Sequence, residues 1–456
     1  MSNTMNIKKL RRRAALLCCL LLPAACKKQL DIKPSSSLQV PSSAADFQAL
    51  LDNTDIFNAS WPMAGIAGAD DGFILDATLA SAPLTVRNGY VWSRDVFNEN
   101  VKNDWSLPYT AIFYANIVLE GAAKYGGSGS TGWNNIRGQA AFFRAYAYWQ
   151  LAQEFCKPYD PATAAADPGL VIRASADLNA PSLRSTVAVA YAQITADLQS
   201  AVKLLPVNVI AKTRPGKAAA YAMFARTYLS MRDYKRSAAY ADSALALNST
   251  LIDYNGISSA SGPPFQRFND EVIFHAGPTS YSNLQSPKYL VDTVLYASYD
   301  AADLRKPLFF SAATANKYQN FRGSYDGSSK LFSGLATDEL YLIRAECRAR
   351  VGDLGGALAD LNLLRKNRYL KASYSDLASA EGKTVLRWIL EERRKELLLR
   401  GLRWSDLRRL NMEPDYQKTL VRVAGGIRYE LAPGDPRYLW PIPLTVIAET
   451  GIPQNP

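Results

Sequence analysis

Histidine is nearly missing from this chain: His275 is the only one among 456 residues. That removes Ser-His-Asp triads, His-paired thiols and His-rich metal sites from consideration. Cysteine is scarce as well. Of five, Cys18 and Cys19 lie in an apolar N-terminal run, which leaves Cys26, Cys156 and Cys347. No disulfide framework or zinc spacing can be built from these. Cys156 and Cys347 read as buried free thiols, with a pair in an oxidising compartment as the alternative. No apolar run after residue 25 is long enough to span a bilayer. A massed basic surface is missing too. The net charge is +11, but Lys8, Lys9, Arg11, Arg12 and Arg13 supply five of it, leaving about +6 scattered among acids. That pattern argues against a nucleic-acid partner.

The N-terminus carries a processing signal. A basic segment is followed by a leucine-rich stretch from Ala14 to Ala25, too short for a permanent membrane helix. It closes with Pro23-Ala24-Ala25-Cys26. Small residues just before a cysteine fit lipoprotein processing, so residues 1–25 are expected to be a signal peptide and Cys26 an acylated lipid anchor in the bilayer. The alternative is ordinary cleavage and a free secreted protein. Lys27 to Ser37, polar and serine-rich, reads as the rest of a tether over residues 26–37. Residues 38–456 show no linker that would divide them and are expected to form one domain.

Helical periodicity dominates that body, and the fold class is expected to be mostly α with little β. Stripes of apolar residues predict helices over Asp104–Tyr125, Trp133–Phe155 and Thr186–Leu205. Two similar units follow. Gly216–Met231 and Arg236–Leu247 flank a turn at Asp233-Tyr234; Thr337–Arg350 and Leu354–Arg368 flank one at Gly352-Asp353. Each pair spans slightly over thirty residues, with small alanines at its seam, as in tetratricopeptide repeats. The helical repeats are thus expected mainly over 104–155, 186–247 and 337–409. The segments 53–103, 158–185 and 251–335 are irregular, rich in Gly, Pro, Ser, Asn and aromatics, with Val272–His275 as a short strand.

Chemistry-bearing constellations are few. Asp70-Asp71 are adjacent carboxylates, and acid pairs can hydrolyse glycosides, but Asp-Asp-Gly is also ordinary turn chemistry. Gly126–Ser130 lacks the lysine and the preceding strand of a phosphate loop. No catalytic residue, cofactor or metal site is expected. Aromatics are in excess, with 8 Trp, 25 Tyr and 16 Phe. Those in the irregular segments, Trp61, Tyr90, Trp92, Tyr281, Tyr289, Tyr318 and Tyr325, stand near Asp70, Asp71, Asn320 and Arg322. Flat rings with amide, carboxylate and guanidinium neighbours suit sugar rings, so these eleven are the candidate ligand-binding residues. Taken singly, each ring fits equally well as a pin holding its loop to the body.

The C-terminal part carries two distinctive motifs. One is Glu391-Glu392-Arg393-Arg394-Lys395-Glu396-Leu397 running on to Gly401-Leu402-Arg403-Trp404-Ser405-Asp406-Leu407-Arg408-Arg409. It reads as a helix with Glu391 and Glu392 pairing Lys395 on the solvent side, Gly401 as the C-cap, Trp404 packing back on the apolar stripe, and Arg408 and Arg409 facing out. The other is Leu439-Trp440-Pro441-Ile442-Pro443 with Gln454-Asn455-Pro456. Together with Arg137 to Tyr146 and the lipoprotein-like Cys26, these resemble the SusD/RagB family. The resemblance implies a lipid-anchored outer-membrane protein facing outward. It would capture oligosaccharides and hand them to a SusC-like TonB-dependent transporter, without bond breaking. A peptide-binding member of the family, a tetratricopeptide scaffold binding only proteins, and a glycoside hydrolase hidden in the irregular part are the alternatives.

Overall fold

The computed structural model describes residues 40–97, 102–127, 130–260 and 262–456. The signal peptide, Cys26 and the tether lie outside the described residues. About half of the chain is helical, with a few short strands.

The helical scaffold is built from antiparallel neighbours. Helix α1 (Ala44–Leu51) packs on α2 (Ser106–Tyr125) and α3 (Thr131–Phe155); α3 also packs along α4 (Val187–Leu204). Next come α5 (Lys217–Ser230) with α6 (Tyr234–Leu245), and α7 (Thr337–Arg350) with α8 (Leu354–Lys366). The boundaries fall within a few residues of those read from periodicity. Both later pairs turn by the same device. A residue in left-handed conformation, Arg232 (φ 60) or Gly352 (φ 88), precedes an aspartate N-cap. Asp233 accepts the Arg236 amide and Asp353 the Gly356 amide, which satisfies a helix N–H that has no partner within the helix. Helix α9 (Gly382–Glu396) lies against α7 and α8, and α10 (Arg403–Leu410) follows it.

The intervening segments contain more regular structure than their composition indicated. The described residues of 53–103 hold four short helices, among them Ala64–Gly68 and Leu84–Tyr90, besides β1 (Gly72–Phe73). Strands β2 (Pro168–Val171) and β3 (Arg184–Thr186) pair with each other. Strand β4 (Val272–Phe274), at the position read from sequence, pairs with β8 (Leu335–Ala336). A four-stranded sheet runs β1, β5 (Leu290–Val291), β7 (Gln319–Phe321), β6 (Phe310–Ala312). Near the C-terminus β9 (Leu420–Ala424) and β10 (Ile427–Leu431) form a hairpin. Its turn is Gly425-Gly426, both at positive φ, as a two-residue turn that follows the strand twist requires.

The charged motif folds as a helix whose apolar stripe (Val385, Leu386, Ile389) is buried and whose Glu391 is exposed as read above, but most of its other charged residues also turn inward. Glu392, Arg393, Lys395 and Glu396 are all buried, and so are Arg408 and Arg409. Arg305 bonds Asp303 (2.7 Å), Glu392 (2.5 Å) and Glu396 (2.8 Å). Arg368 bonds Glu396 and Glu271, each at 2.8 Å. Arg400 bonds Asp338 at 2.6 Å, and Arg409 bonds Glu346 at 2.5 Å. Burying a charge is costly unless it is paired and hydrogen-bonded; here each carboxylate has a guanidinium. The helix ends at Leu397 rather than Gly401; Leu399 and Gly401 both adopt positive φ in the link to α10. Trp404 stacks on Trp440, with ring centroids 5.0 Å apart at 15°. A Cβ on Gly68 would meet both indoles, at 2.8 and 2.9 Å, so only glycine leaves room for them there.

Cys156 and Cys347 are buried free thiols. Burial pushes both up to about 12. Among the described residues no helix is long and apolar enough to cross a membrane.

Candidate functional site

Pairing within the small sheet assembles a cleft. Strand β1 is held antiparallel to β5 with Phe73 opposite Leu290, and Leu290 in turn faces Asn320 of β7. This brings Phe73 beside Tyr318, 245 residues on, with ring centroids 4.8 Å apart at 84°. Both rings are half-buried. A Cβ on Gly72 would lie 2.3 Å from the Leu290 carbonyl oxygen, so glycine permits this pairing. Strand β9 forms the opposite wall. The space between, about 550 Å³, is lined by Asp70, Phe73, Asp292, Tyr318, Arg394 and Lys418, with Val421 and Val423 exposed on the β9 side.

The polar lining is organised around Asp70. Its carboxylate accepts from Arg403 (2.6 Å) and Lys418 (2.6 Å), and the Arg394 guanidinium stands 3.1 Å from it. Burial alone would raise this group, but the three cations hold it well below the usual carboxylate range. Asp71 is different. Burial, then the charge of Asp70, push it up to about 6, while the Leu399 amide donates to it at 3.3 Å. The two adjacent acids thus sit in opposite environments, and Asp70 is occupied by counter-ions.

Four of the eleven candidates line this cleft: Asp70, Tyr90, Trp92 and Tyr318. Tyr90 and Trp92 are its floor and are nearly fully buried. The Arg422 guanidinium lies 3.9 Å from the Tyr90 ring centroid and 4.9 Å from that of Trp92. The Trp92 indole donates to the Gly68 carbonyl at 2.9 Å. The other candidates lie elsewhere. Trp61 is wholly buried, its ring edge-on to Tyr146 at 4.7 Å. Tyr289 is buried behind Gly72. Tyr325 is wholly buried, bonding Tyr254 (2.7 Å) and Glu271 (2.8 Å) through its hydroxyl. Tyr281 and Asn320 are half-buried. Arg322 donates to the carbonyls of Ser259 and Pro307, tying loops together.

Sequence reasoning missed Phe73, Asp292, Arg394, Lys418 and the β9 valines. One signal was available. Gly425-Gly426 between two alternating apolar runs is a hairpin signature, which places Leu420–Ala424 on a half-buried strand with Lys418 just before it.

Comparison with known proteins settles the family. A family model described as "Starch-binding associating with outer membrane" matches residues 28–229, and the SusD family model matches residues 337–456. The chain belongs to the SusD/RagB family. No curated protein sequence matches it. Several solved structures share the fold of this SusD/RagB member. A SusD superfamily protein from Bacteroides thetaiotaomicron has a TM-score of 0.75 at 20% identity, covering 91% of this chain and 100% of its own. A protein described as a putative sugar binding protein, from Bacteroides vulgatus, has 0.73 at 20% identity, covering 92% and 99%. A laminarin binding SusD-like protein has 0.65 at 17% identity, covering 92% and 100%.

Proposed function

We propose that this SusD/RagB member binds a glycan in the cleft between β1 and β9 and carries out no bond breaking. The supporting observation is the half-buried Phe73–Tyr318 pair beside Asp292 and Lys418. An exposed aromatic face offers a stacking surface for the C–H groups of a sugar ring, and adjacent charged groups serve its hydroxyls. The laminarin-binding neighbour lends support from the fold side. In the same reading, acylated Cys26 holds the protein to the outer membrane, facing outward. The helical repeats dock on a TonB-dependent transporter that receives the cargo.

Titration against a panel of oligosaccharides, paired with a hydrolysis assay, tests the reading. Binding without turnover is expected, and turnover of any bound glycan would overturn it. Co-purification with a barrel transporter tests the hand-over. Loss of palmitate labelling in Cys26→Ala tests the anchor.

A further inference from the structure

Resting on the glycan reading, we infer that the bound glycan carries acetyl groups, whose methyls are received by the aliphatic side chains bordering the cleft. Four of those side chains face solvent: Leu75, Val294, Val421 and Val423 are exposed by 37, 73, 45 and 63%. A single exposed aliphatic residue is ordinary on a protein surface, whereas a group of them around one cleft is a recognition feature. Strand β9 alternates, with Leu420, Arg422 and Ala424 buried and Val421 and Val423 turned out. The two valines thus stand about 7 Å apart along one face. Their partners across the hairpin are Glu430 and Arg428. These bond each other at 2.5 Å, so β10 gives the valines no apolar cover.

An unsubstituted sugar matches only part of this lining. The C–H groups of its ring suit Phe73 and Tyr318, but its hydroxyls do not suit branched aliphatic chains. A hydroxyl pressed against them loses water and finds no partner. An acetyl group is the complement: its methyl is apolar, and its carbonyl oxygen accepts a hydrogen bond. Lys418, just before β9 and lining the same cleft, is the donor at hand. Its side chain is half-exposed, and it donates to Asp70 at 2.6 Å. An ammonium has three N–H groups, so two are left for an acceptor in the cleft. The same acetyl chemistry arises from an O-acetyl ester or from the acetamide of an N-acetylhexosamine.

The test is an array of plant, fungal and animal glycans printed in duplicate, one copy treated with mild alkali. That treatment removes O-acetyl esters and leaves acetamides and the sugar backbone. Chito-oligosaccharides stand beside cello-oligosaccharides of equal length, which carry a hydroxyl in place of each acetamide. A peptide digest shares the slide. Wild type is expected to bind its best ligand at least roughly fourfold more weakly once one acetyl group is gone, the effect of one buried methyl. Loss on the alkali-treated copy assigns an ester; preference for chito- over cello-oligosaccharides assigns an acetamide. Equal binding in both comparisons overturns the inference and leaves the glycan reading standing. Binding to no glycan, or to peptides above every glycan, overturns both. The double variant Val421→Thr, Val423→Thr keeps the branched shape that a strand favours and is expected to bring the acetyl preference below roughly twofold. A folded double variant that keeps the full preference overturns the role given to these valines. If it does not fold, the wild-type ratios alone decide.

Discussion

Arg305 and Glu396 are 91 residues apart in sequence and 2.8 Å apart in the fold, and both are buried. Arg305 comes from the irregular segment and Glu396 from the last turn of α9, so their bond fastens one part of the molecule to the other. Glu271, Asp338 and Glu396 approach within 4.8 Å of one another. The guanidiniums of Arg368, Arg400 and Arg305 offset their mutual repulsion. Glu392 and Glu396 of the charged motif thus bind the body together rather than facing water, while Glu391 stays exposed.

Removing one member should therefore be severe. Arg305→Ala leaves Asp303, Glu392 and Glu396 with fewer counter-charges in the interior, and a loss of about 3–5 kcal/mol is expected. Urea denaturation followed by far-UV circular dichroism measures it. A loss under 1 kcal/mol would show that the network is dispensable.

A second prediction concerns pH. Asp104 accepts the amides of Met63 (2.8 Å) and Ala64 (2.6 Å), and Glu154 accepts that of Gly65 (3.0 Å). Burial, and for Glu154 the charge of Asp104 beside it, raise both: Asp104 to about 6 and Glu154 well above its ordinary value. Because the folded values are raised, the native pair retains a proton that the unfolded chain releases near pH 4. The contribution is complete below that pH and shrinks as pH climbs through about 6. Glu154→Gln keeps the shape and removes the titration, so its stability should fall less steeply than wild type between pH 4 and 6 in parallel denaturation series.

The rings of the cleft and of the core should respond differently to truncation. Phe73→Ala and Tyr318→Ala are expected to weaken binding of the best-bound oligosaccharide by about 1 kcal/mol each, roughly fivefold, with stability little changed. Trp61→Ala should instead cost about 3–5 kcal/mol of stability, because it empties a wholly buried site against Tyr146. Calorimetric titration and thermal melts on the three variants separate the two roles. Normal affinity in both cleft variants would remove those rings from the site.

The two helical turns supply a gain-of-stability test. Arg232 occupies a left-handed conformation where the later pair has Gly352. Arg232→Gly should relieve about 1 kcal/mol of backbone strain, less the small contribution of the 3.8 Å contact with Asp160. The melting temperature should rise. A fall would mean that the arginine side chain contributes more than its backbone conformation costs.

The helical pairs were legible because alanine spacing and Asp caps are local signals, as α5 to α8 show. The inward face of α9 was not. An apolar stripe assigns charged residues to water, and nothing local announces that Glu392 and Glu396 meet Arg305 about ninety residues upstream. The cleft was half legible for the same reason. Loop aromatics marked Tyr318, but Trp61 and Tyr325 look identical in sequence and are core. Which ring stays accessible depends on sheet pairing, above all that of Phe73 with Leu290, more than two hundred positions apart.

The two family models leave residues 230–336 unmatched between them. That stretch supplies Tyr318 and Asp292 to the cleft, and Glu271, Asp303 and Arg305 to the interior. Anyone grafting a new loop set here to retune the cargo would be working with a cassette on three ionic rivets: recognition can be rewritten freely, provided those charges land where Arg368 and Glu396 wait for them.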